Sequence, residues 1–539
     1  MKSAPLPWLL PAALLTTGTL LDARPARACG GLFCQPAQPV IQTGEQILFS
    51  VDRTAGTVDA IINIRYSGPA EEFAWMLPLQ SAPTELQVGP QSAFQTINNL
   101  TSPQFNLRFE TKGACRDTTR FVSPDDENSL ASEAAPPQDA GVQVIARKEV
   151  GPYDTVVLAG ETPEAVRTWL VDNGFAVTDA MMMQVIPYLQ KGDVLLALKL
   201  RKDNDAGDIQ PVHVTMAGDE VCVPLRLTAI AAVQDMDVTV TVLSSEGRAV
   251  PENYFEVELN LARLDWFSRG GNYRELVADA ADEGDGNAFT TEFAGSARLF
   301  DGQVYPRGGY PRAFLLAAGD FPELVTALSD AALVNKPGVG PILRRHAQGA
   351  LKTELDAQAA NFDRCPVCFS DQPGEIDVDA VIEEVWTRIV KPEERTQQLF
   401  DQQTYATRLY TLISPEEMTV DPEFAFRSDL PDVSNVHVAT QVSECGFAGD
   451  VTREYLRIED TGDEIELEEI GAVQAALPAA RRVRQLNEGV DVVDNRSVID
   501  NLLGNGRGCT CARHAGRPSA GLLLLGLAGF GLIFTRRRR

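Results

Sequence analysis

The stretch Ile47-Leu48-Phe49-Ser50-Val51-Asp52-Arg53-Thr54-Ala55-Gly56-Thr57-Val58-Asp59-Ala60-Ile61-Ile62-Asn63-Ile64-Arg65-Tyr66 sets the character of this chain. Ile47, Phe49 and Val51 recur at every second position, and so do Val58, Ala60, Ile62, Ile64 and Tyr66. A period of two places those side chains on one face of a strand. The polar, glycine-ended turn Arg53-Thr54-Ala55-Gly56 joins the two runs into a β-hairpin with one buried face.

The pattern continues outward. Phe73 to Leu77 reads as a strand stopped by Pro78, Ala93 to Leu100 as a short helix and Phe105 to Phe109 as a strand. Residues 123–141 hold Pro124, Asp125, Asp126, Glu127, Pro136 and Pro137 with little that is large and apolar, the composition of a flexible loop. Val142 to Leu158 gives two strands around Gly151-Pro152. Thr162, Pro163 and Glu164 then open a helix whose stripe is Val166, Trp169 and Leu170, and Asn173-Gly174 ends it. A helical stretch near Ala180 to Gln190 is interrupted at Pro187. Val194 to Leu200, the alternating Leu225, Leu227, Ala229 and Ala231, then Val238, Val240 and Val242, and finally Tyr254 to Leu259 all read as strands.

The middle turns helical. Tyr273 to Ala281, Pro322 to Ser329 and Leu343 to Leu355 carry helical periodicity. Val378, Val381, Ile382, Val385, Trp386 and Ile389 make the clearest apolar stripe, closed by Pro392, and Leu399 to Ile413 continues as another helix. From Val436 strands return, and Tyr455 to Ile458 and Ile465 to Leu467 flank the turn Asp460-Thr461-Gly462-Asp463. The expected fold is α+β: a sheet-rich part over 29–260, a mainly helical region over 261–435, and a β-hairpin region over 436–506 before a C-terminal membrane segment.

The two ends carry processing signals. Lys2 precedes an apolar segment from Leu6 to Leu21, and Ala26-Arg27-Ala28 stands before Cys29. That is a signal peptide over 1–28 with a small-x-small site, cut between Ala28 and Cys29 by signal peptidase. A lipoprotein site would need a leucine-like residue where Ala26 stands. At the other end, Gly508-Cys509-Thr510-Cys511 leads through a polar spacer to an apolar run from Ala520 to Phe534 and then Arg536 to Arg539. As a helix the uncharged run from Ser519 to Thr535 covers roughly 25 Å, the short end of a membrane span. The arginines favour the cytoplasmic side, which leaves the body outside. An ordinary single-span anchor would share these features. In order and composition, the tail over 507–539 resembles the MYXO-CTERM sorting signal. That resemblance implies cleavage by a myxosortase-type membrane protease and lipid modification at Cys509 or Cys511, with display at the surface.

The chain carries 75 acidic and 47 basic residues, a net charge of −28. An acidic surface repels nucleic acid and anionic lipid, so no nucleic-acid partner is expected. Seven of the nine cysteines lie in the body: Cys29, Cys34, Cys115, Cys222, Cys365, Cys368 and Cys445. In an exported chain these are candidates for disulfides. Cys29 and Cys34 suit a local pair across Gly30-Gly31; the remaining connectivity stays open.

Several short stretches, taken in order, resemble the bacterial domain of unknown function 2330. They are Cys29-Gly30-Gly31-Leu32-Phe33-Cys34, Phe73-Ala74-Trp75-Met76-Leu77-Pro78, Gly151-Pro152-Tyr153-Asp154-Thr155, and Trp169-Leu170 with Asn173-Gly174. Pro224-Leu225-Arg226-Leu227, Pro251-Glu252-Asn253-Tyr254 and Thr290-Thr291-Glu292-Phe293 follow, so the likeness spans about 29–300. It implies no activity.

His213, His346, His437 and His514 are far apart in sequence, and none stands in a His-Glu-x-x-His motif, which argues against a zinc hydrolase. Cys365-Pro366-Val367-Cys368 fits a structural bridge, with redox catalysis the alternative. No serine elbow or phosphate loop is found. Asp203-Asn204-Asp205-Ala206-Gly207-Asp208 offers oxygen ligands for calcium without the spacing of an EF-hand, so a solvated turn is expected and no cofactor is evident. Trp75, Trp169 and Trp266 are expected in the core, with a ligand groove the alternative. With no catalytic motif, the expected function is that of an exported, membrane- or surface-anchored envelope protein with a structural or binding role, in the periplasm or at the outer surface. The alternative is an envelope enzyme whose site gathers acids, His213 or His437, or a thiol from distant segments.

Overall fold

The computed structural model describes residues 41–67, 74–115, 143–160, 162–173, 175, 177–201 and 209–504. The signal peptide with Ala28, the pair Cys29 and Cys34, the loop 123–141, the acidic cluster 203–208, and the tail with Cys509 and Cys511 lie outside the described residues. Among those described, no helix is long and apolar enough to cross a membrane.

The hairpin forms as its alternation demands. Ile41–Asp52 and Thr57–Ser67 pair antiparallel, Ile47 opposite Ile62 and Phe49 opposite Ala60. They sit in a ten-stranded sheet whose spatial order is Val490–Asp494, Ala480–Gln485, Phe255–Leu259, Ala288–Ser296, Tyr405–Ile413, Ala232–Ser244, Ile41–Asp52, Thr57–Ser67, Val212–Ala217 and Glu85–Val88. Ala232–Ser244 runs parallel to Ile41–Asp52 and antiparallel to Tyr405–Ile413. Phe255–Leu259 and Ala288–Ser296 are parallel, joined through the helix Tyr273–Asp282, as parallel neighbours require a crossover. These pairings cross the expected boundaries at 260 and 435, so segments from all three expected regions share one sheet.

A second, antiparallel sheet has the order Ala74–Leu79, Val194–Leu200, Tyr153–Ala159, Gln143–Val150. Trp75, Leu77, Leu79, Leu196 and Leu198 pack with Ile47, Phe49, Ala60 and Ile62 of the first sheet. The alternate residues Met76, Leu158, Leu195 and Ala197 face away and pack on Trp169, Leu170, Met181 and Val185 of the helices Pro163–Asp172 and Asp179–Lys191. Covered on both faces, residues 194–198 of Val194–Leu200 read as an unbroken apolar run. Thr162 caps the first of these helices, its hydroxyl accepting the Ala165 N–H at 3.2 Å.

The far face of the ten-stranded sheet, with Leu48, Ile61 and Leu243, is covered by Phe94 and Ile97 of the helix Gln91–Thr101 and by Phe300 and Phe400. A helical layer between residues 312 and 402 has its own core around Leu324, Leu328, Ile342, Phe362, Ile382 and Val385. A further sheet has the order Glu464–Glu466, Val451–Ile458, Val436–Cys445, Gln104–Lys112. Its parallel pair, Val436–Cys445 beside Gln104–Lys112, delivers Cys445 to Cys115, and the two are disulfide-bonded. The architecture is thus mixed α+β with a sheet-rich N-terminal part.

Several elements depart from the reading of the sequence. Leu225–Thr228 is a single helical turn rather than a strand; one turn buries Leu225 and Leu227 as readily as alternation would. The helix expected over 399–413 ends at Gln402, and Tyr405–Ile413 is a strand at the centre of the large sheet. Its burial on both faces hides the period of two. Pro392 does not close its helix: a π turn over Trp386–Val390 precedes Lys391–Gln402, and Pro392 lies in the first turn of that next segment, where an N–H is not needed. Pro187 lies within the intact helix Asp179–Lys191. Pro78 continues Ala74–Leu79, an edge strand where its missing donor is tolerated. Leu343 to Leu355 divides into Val339–His346 and Gly349–Ala357.

The two disulfides differ in the loop they close. Cys115 and Cys445 are 330 residues apart, Cys365 and Cys368 only 3. Loop-closure entropy assigns about 5–6 kcal/mol to the long loop and about 2 to the short one. Urea denaturation should therefore show a several-fold larger loss of stability for Cys115→Ala/Cys445→Ala than for Cys365→Ala/Cys368→Ala.

Candidate functional site

The two facing sheets do not fill all the space between them. Where they meet a small sheet of Val221–Cys222, Glu423–Arg427 and Arg248–Pro251, a cavity of about 220 Å³ is left. Ile47, Phe49, Ala60, Ile62 and Met216 wall one side and Leu77 and Leu79 the other. Its remaining end is polar, with Tyr188, Lys191, Asp193, Cys222, Arg226 and Asp421.

Each polar residue is placed by local structure. Asp421 accepts the Arg226 backbone N–H at 2.9 Å, at the start of the turn Leu225–Thr228. Asn253 donates to the Asp421 carbonyl at 2.7 Å and accepts the Glu423 N–H at 2.8 Å. The Tyr254 hydroxyl donates to the Val420 carbonyl at 2.7 Å. Asn253 and Tyr254 thereby hold the segment that carries Asp421. Tyr188 and Lys191 come from the last turn of Asp179–Lys191, and Cys222 lies on a strand paired with Glu423. The Tyr188 hydroxyl faces Asp421 without a well-formed hydrogen bond, and Arg226 Nε is buried without an acceptor.

Burial dominates the electrostatics. It raises Asp421 above the usual carboxylate range, against the pull of the Arg226 N–H, Tyr188, Arg226 and Lys191. It also raises the Cys222 thiol, and the carboxylates of Asp421 and Glu423 push it further. A thiol so placed stays protonated and is a poor nucleophile. Behind the turn, Glu45 is buried and pushed up to about 7 by desolvation, with Gln42 and Thr228 hydrogen bonds opposing and Asp421 adding to the rise. The site offers shape, one apolar wall on each side and a polar end, which suits binding.

The other candidates are dispersed. His213 is buried on Val212–Ala217 and pairs with Asp59 at 2.8 Å, where Thr215 also donates to Asp59. His346 meets Glu384 at 2.7 Å in the helical layer. His437 pairs with Asp460 at 2.8 Å and stacks on Phe105, in a different cleft. Trp75, Trp169 and Trp266 are all core residues. Cys365 and Cys368 are bonded around the short turn Pro366–Phe369. Cys222 is the free cysteine among the described residues. His514 lies outside them, and among them no group of three metal-ligating side chains comes together. The thiol does meet acids in one cavity, but no histidine joins it. Sequence reading missed Tyr188, Lys191 and Asp421; Arg226 and Asn253 stood in quoted stretches without a role.

Two outcomes are measurable. Glu45 has its folded pKa raised from 4.5 to about 7, so the cost of ionising it is absent below 4.5 and fully present above about 7. Glu45→Gln should gain stability, on the order of 3 kcal/mol, in urea melts near pH 8, and the gain should vanish as the pH falls to about 4.5. Iodoacetamide should alkylate Cys222 more than about tenfold more slowly in the native protein than in urea, read at that peptide by mass spectrometry.

Comparison with known proteins places these residues in a family. No curated protein and no solved structure matches the chain. Residues 24–328 match the family described as an uncharacterized protein conserved in bacteria, domain of unknown function 2330. The match covers more than half of the chain and takes in both strands of the founding hairpin, the second sheet and most of the cavity wall, so this chain belongs to that family.

Proposed function

We propose that this is an exported envelope protein, held at the membrane or outer surface through its C-terminal segment, whose role is to bind a small, partly apolar molecule between its two sheets. One observation carries the binding role. Three of the stretches that mark the family likeness converge on the cavity: Leu77 and Pro78 from the first, Pro224 and Arg226 from the second, and Asn253 from the third. The cavity they line has an apolar body, a polar end and a protonated thiol. That combination can orient a ligand and offers it no activated nucleophile.

Export is supported by the two terminal segments and by the bond between Cys115 and Cys445, a pairing that persists where the surroundings are oxidising. Signal peptidase and a myxosortase-type protease are the processing partners this reading requires. The membrane is approached through the tail, since the acidic body is repelled by anionic lipid.

Two measurements test it. A membrane-impermeant amine label applied to intact cells should mark the protein, and its intact mass should place the mature start at Cys29. Recovery of an unlabelled, uncut chain from the cytosol would remove the location. Native mass spectrometry of protein purified from its own cells should reveal a bound small molecule that is lost in Ala60→Leu, which fills the cavity while leaving the far-ultraviolet spectrum unchanged. An empty wild-type protein would remove the binding role.

A further inference from the structure

A second opening, of about 570 Å³, lies where Phe255–Leu259, Ala288–Ser296 and Ala480–Gln485 of the large sheet approach Gln104–Lys112 and Val436–Cys445. Glu256 sits at its floor, its side chain 3% exposed, and takes two guanidinium groups. Arg248 Nη2 bonds one carboxylate oxygen and Arg484 Nη2 bonds the other at 2.6 Å. The Thr291 hydroxyl donates to the first oxygen at 2.8 Å. The neighbouring carboxylate Glu292 is already matched by Arg408 and receives the Tyr273 hydroxyl at 2.8 Å. Glu258 is matched in the same way by Arg482.

The floor therefore holds one carboxylate against two arginines, and the Arg248 side chain is only 6% exposed, that of Arg484 24%. A surplus charge taken out of water is costly unless an opposite charge meets it. Nε of both arginines is buried without an acceptor, Nη2 of each bonds Glu256, that of Arg248 also bonds the Thr291 hydroxyl at 2.9 Å, and both side chains line the cleft. The rim has the opposite sign. Asp432 is exposed and accepts the Tyr405 hydroxyl at 2.6 Å, and Asp460 accepts from His437 Nδ1–H at 2.8 Å. Phe105, stacked on His437 and edge-on to Trp266, supplies an aromatic wall between floor and rim. Thr290, Thr291 and Glu292, from another of the family stretches, line the same floor.

We propose that this cleft binds a small zwitterion, a free amino acid or a short peptide with free ends, its carboxylate on Arg248 and Arg484 and its ammonium at Asp432 and Asp460. The site is separate from the inter-sheet cavity and stands whether or not that cavity holds a ligand. A floor short of one negative charge and a rim rich in it, with an aromatic face between, match the two ends and the side chain of such a molecule.

Isothermal titration calorimetry on the purified full chain in detergent tests this. The probes are the protein amino acids singly, dipeptides with apolar, acidic and basic side chains, and the half-ligands acetate and ethylamine. At least one amino acid or dipeptide should bind about tenfold or more tighter than either half-ligand. Single amino acids binding as well as dipeptides marks the smaller ligand; dipeptides alone binding marks the peptide. Arg484→Gln should weaken the zwitterion about tenfold or more. Asp432→Asn, on the exposed rim and shown folded by its melting curve, should erase the advantage of the zwitterion over acetate. Absence of heat from every amino acid and dipeptide at millimolar concentration overturns the proposal. So does a zwitterion that binds Arg484→Gln, shown folded by its melting curve, as well as it binds the unaltered protein.

Discussion

Side chains that alternate along each strand hold the two main sheets face to face, and the rest of the molecule depends on that contact. Ile47, Phe49, Ala60 and Ile62 meet Leu77, Leu79, Leu196 and Leu198 across the gap. Shifting Ala74–Leu79 by one residue would exchange Leu77 and Leu79 for Met76 and Pro78 and strip the helices behind of their partner. Register is therefore specified twice, once by each face. The cavity exists because this packing stops short at one end, where a four-residue turn and a small sheet take the place of a further aliphatic layer.

Much of the fold could be read from residue pattern. The hairpin, the capped helix beginning at Pro163, and the turn at Asp460 to Asp463 all form where period and turn chemistry placed them. What could not be read was pairing between distant segments. Nothing local in Tyr405–Ile413 says that it lies between Ala232–Ser244 and Ala288–Ser296, and its burial on both faces removes the alternation that would mark it as a strand. The prolines misled for the same reason. Pro78 and Pro392 were read as stops, yet an edge strand and a π turn each make room for a missing N–H.

Less of the site was legible. Cys222 was visible as a cysteine and Arg226 and Asn253 as parts of recurring stretches, but their meeting with Tyr188 and Asp421 depends on contacts across more than a hundred residues. The two openings also differ in a way composition hides. Both belong to an acidic chain, yet one is an apolar slot where burial pushes both a carboxyl and a thiol upward, and the other is a charged cleft whose floor is locally positive. Net charge describes the surface as a whole and says little about a largely buried triad such as Arg248, Glu256 and the half-buried Arg484.

The bond between Cys115 and Cys445 also decides how the molecule carries force. Tension applied between the first strand and the last helix would pass from Cys445 directly to Cys115, bypassing the chain that separates them. Three strands of the second sheet, Gln143–Val150, Tyr153–Ala159 and Val194–Leu200, the helical layer and five of the ten strands of the large sheet lie within that bypassed span and cannot be drawn out lengthwise. Only the segments outside it, from Ile41–Asp52 to Gln104–Lys112 at one end and Val451–Ile458 onward at the other, can lengthen under a pull, so the hairpin strands would leave the large sheet while the looped span stays closed.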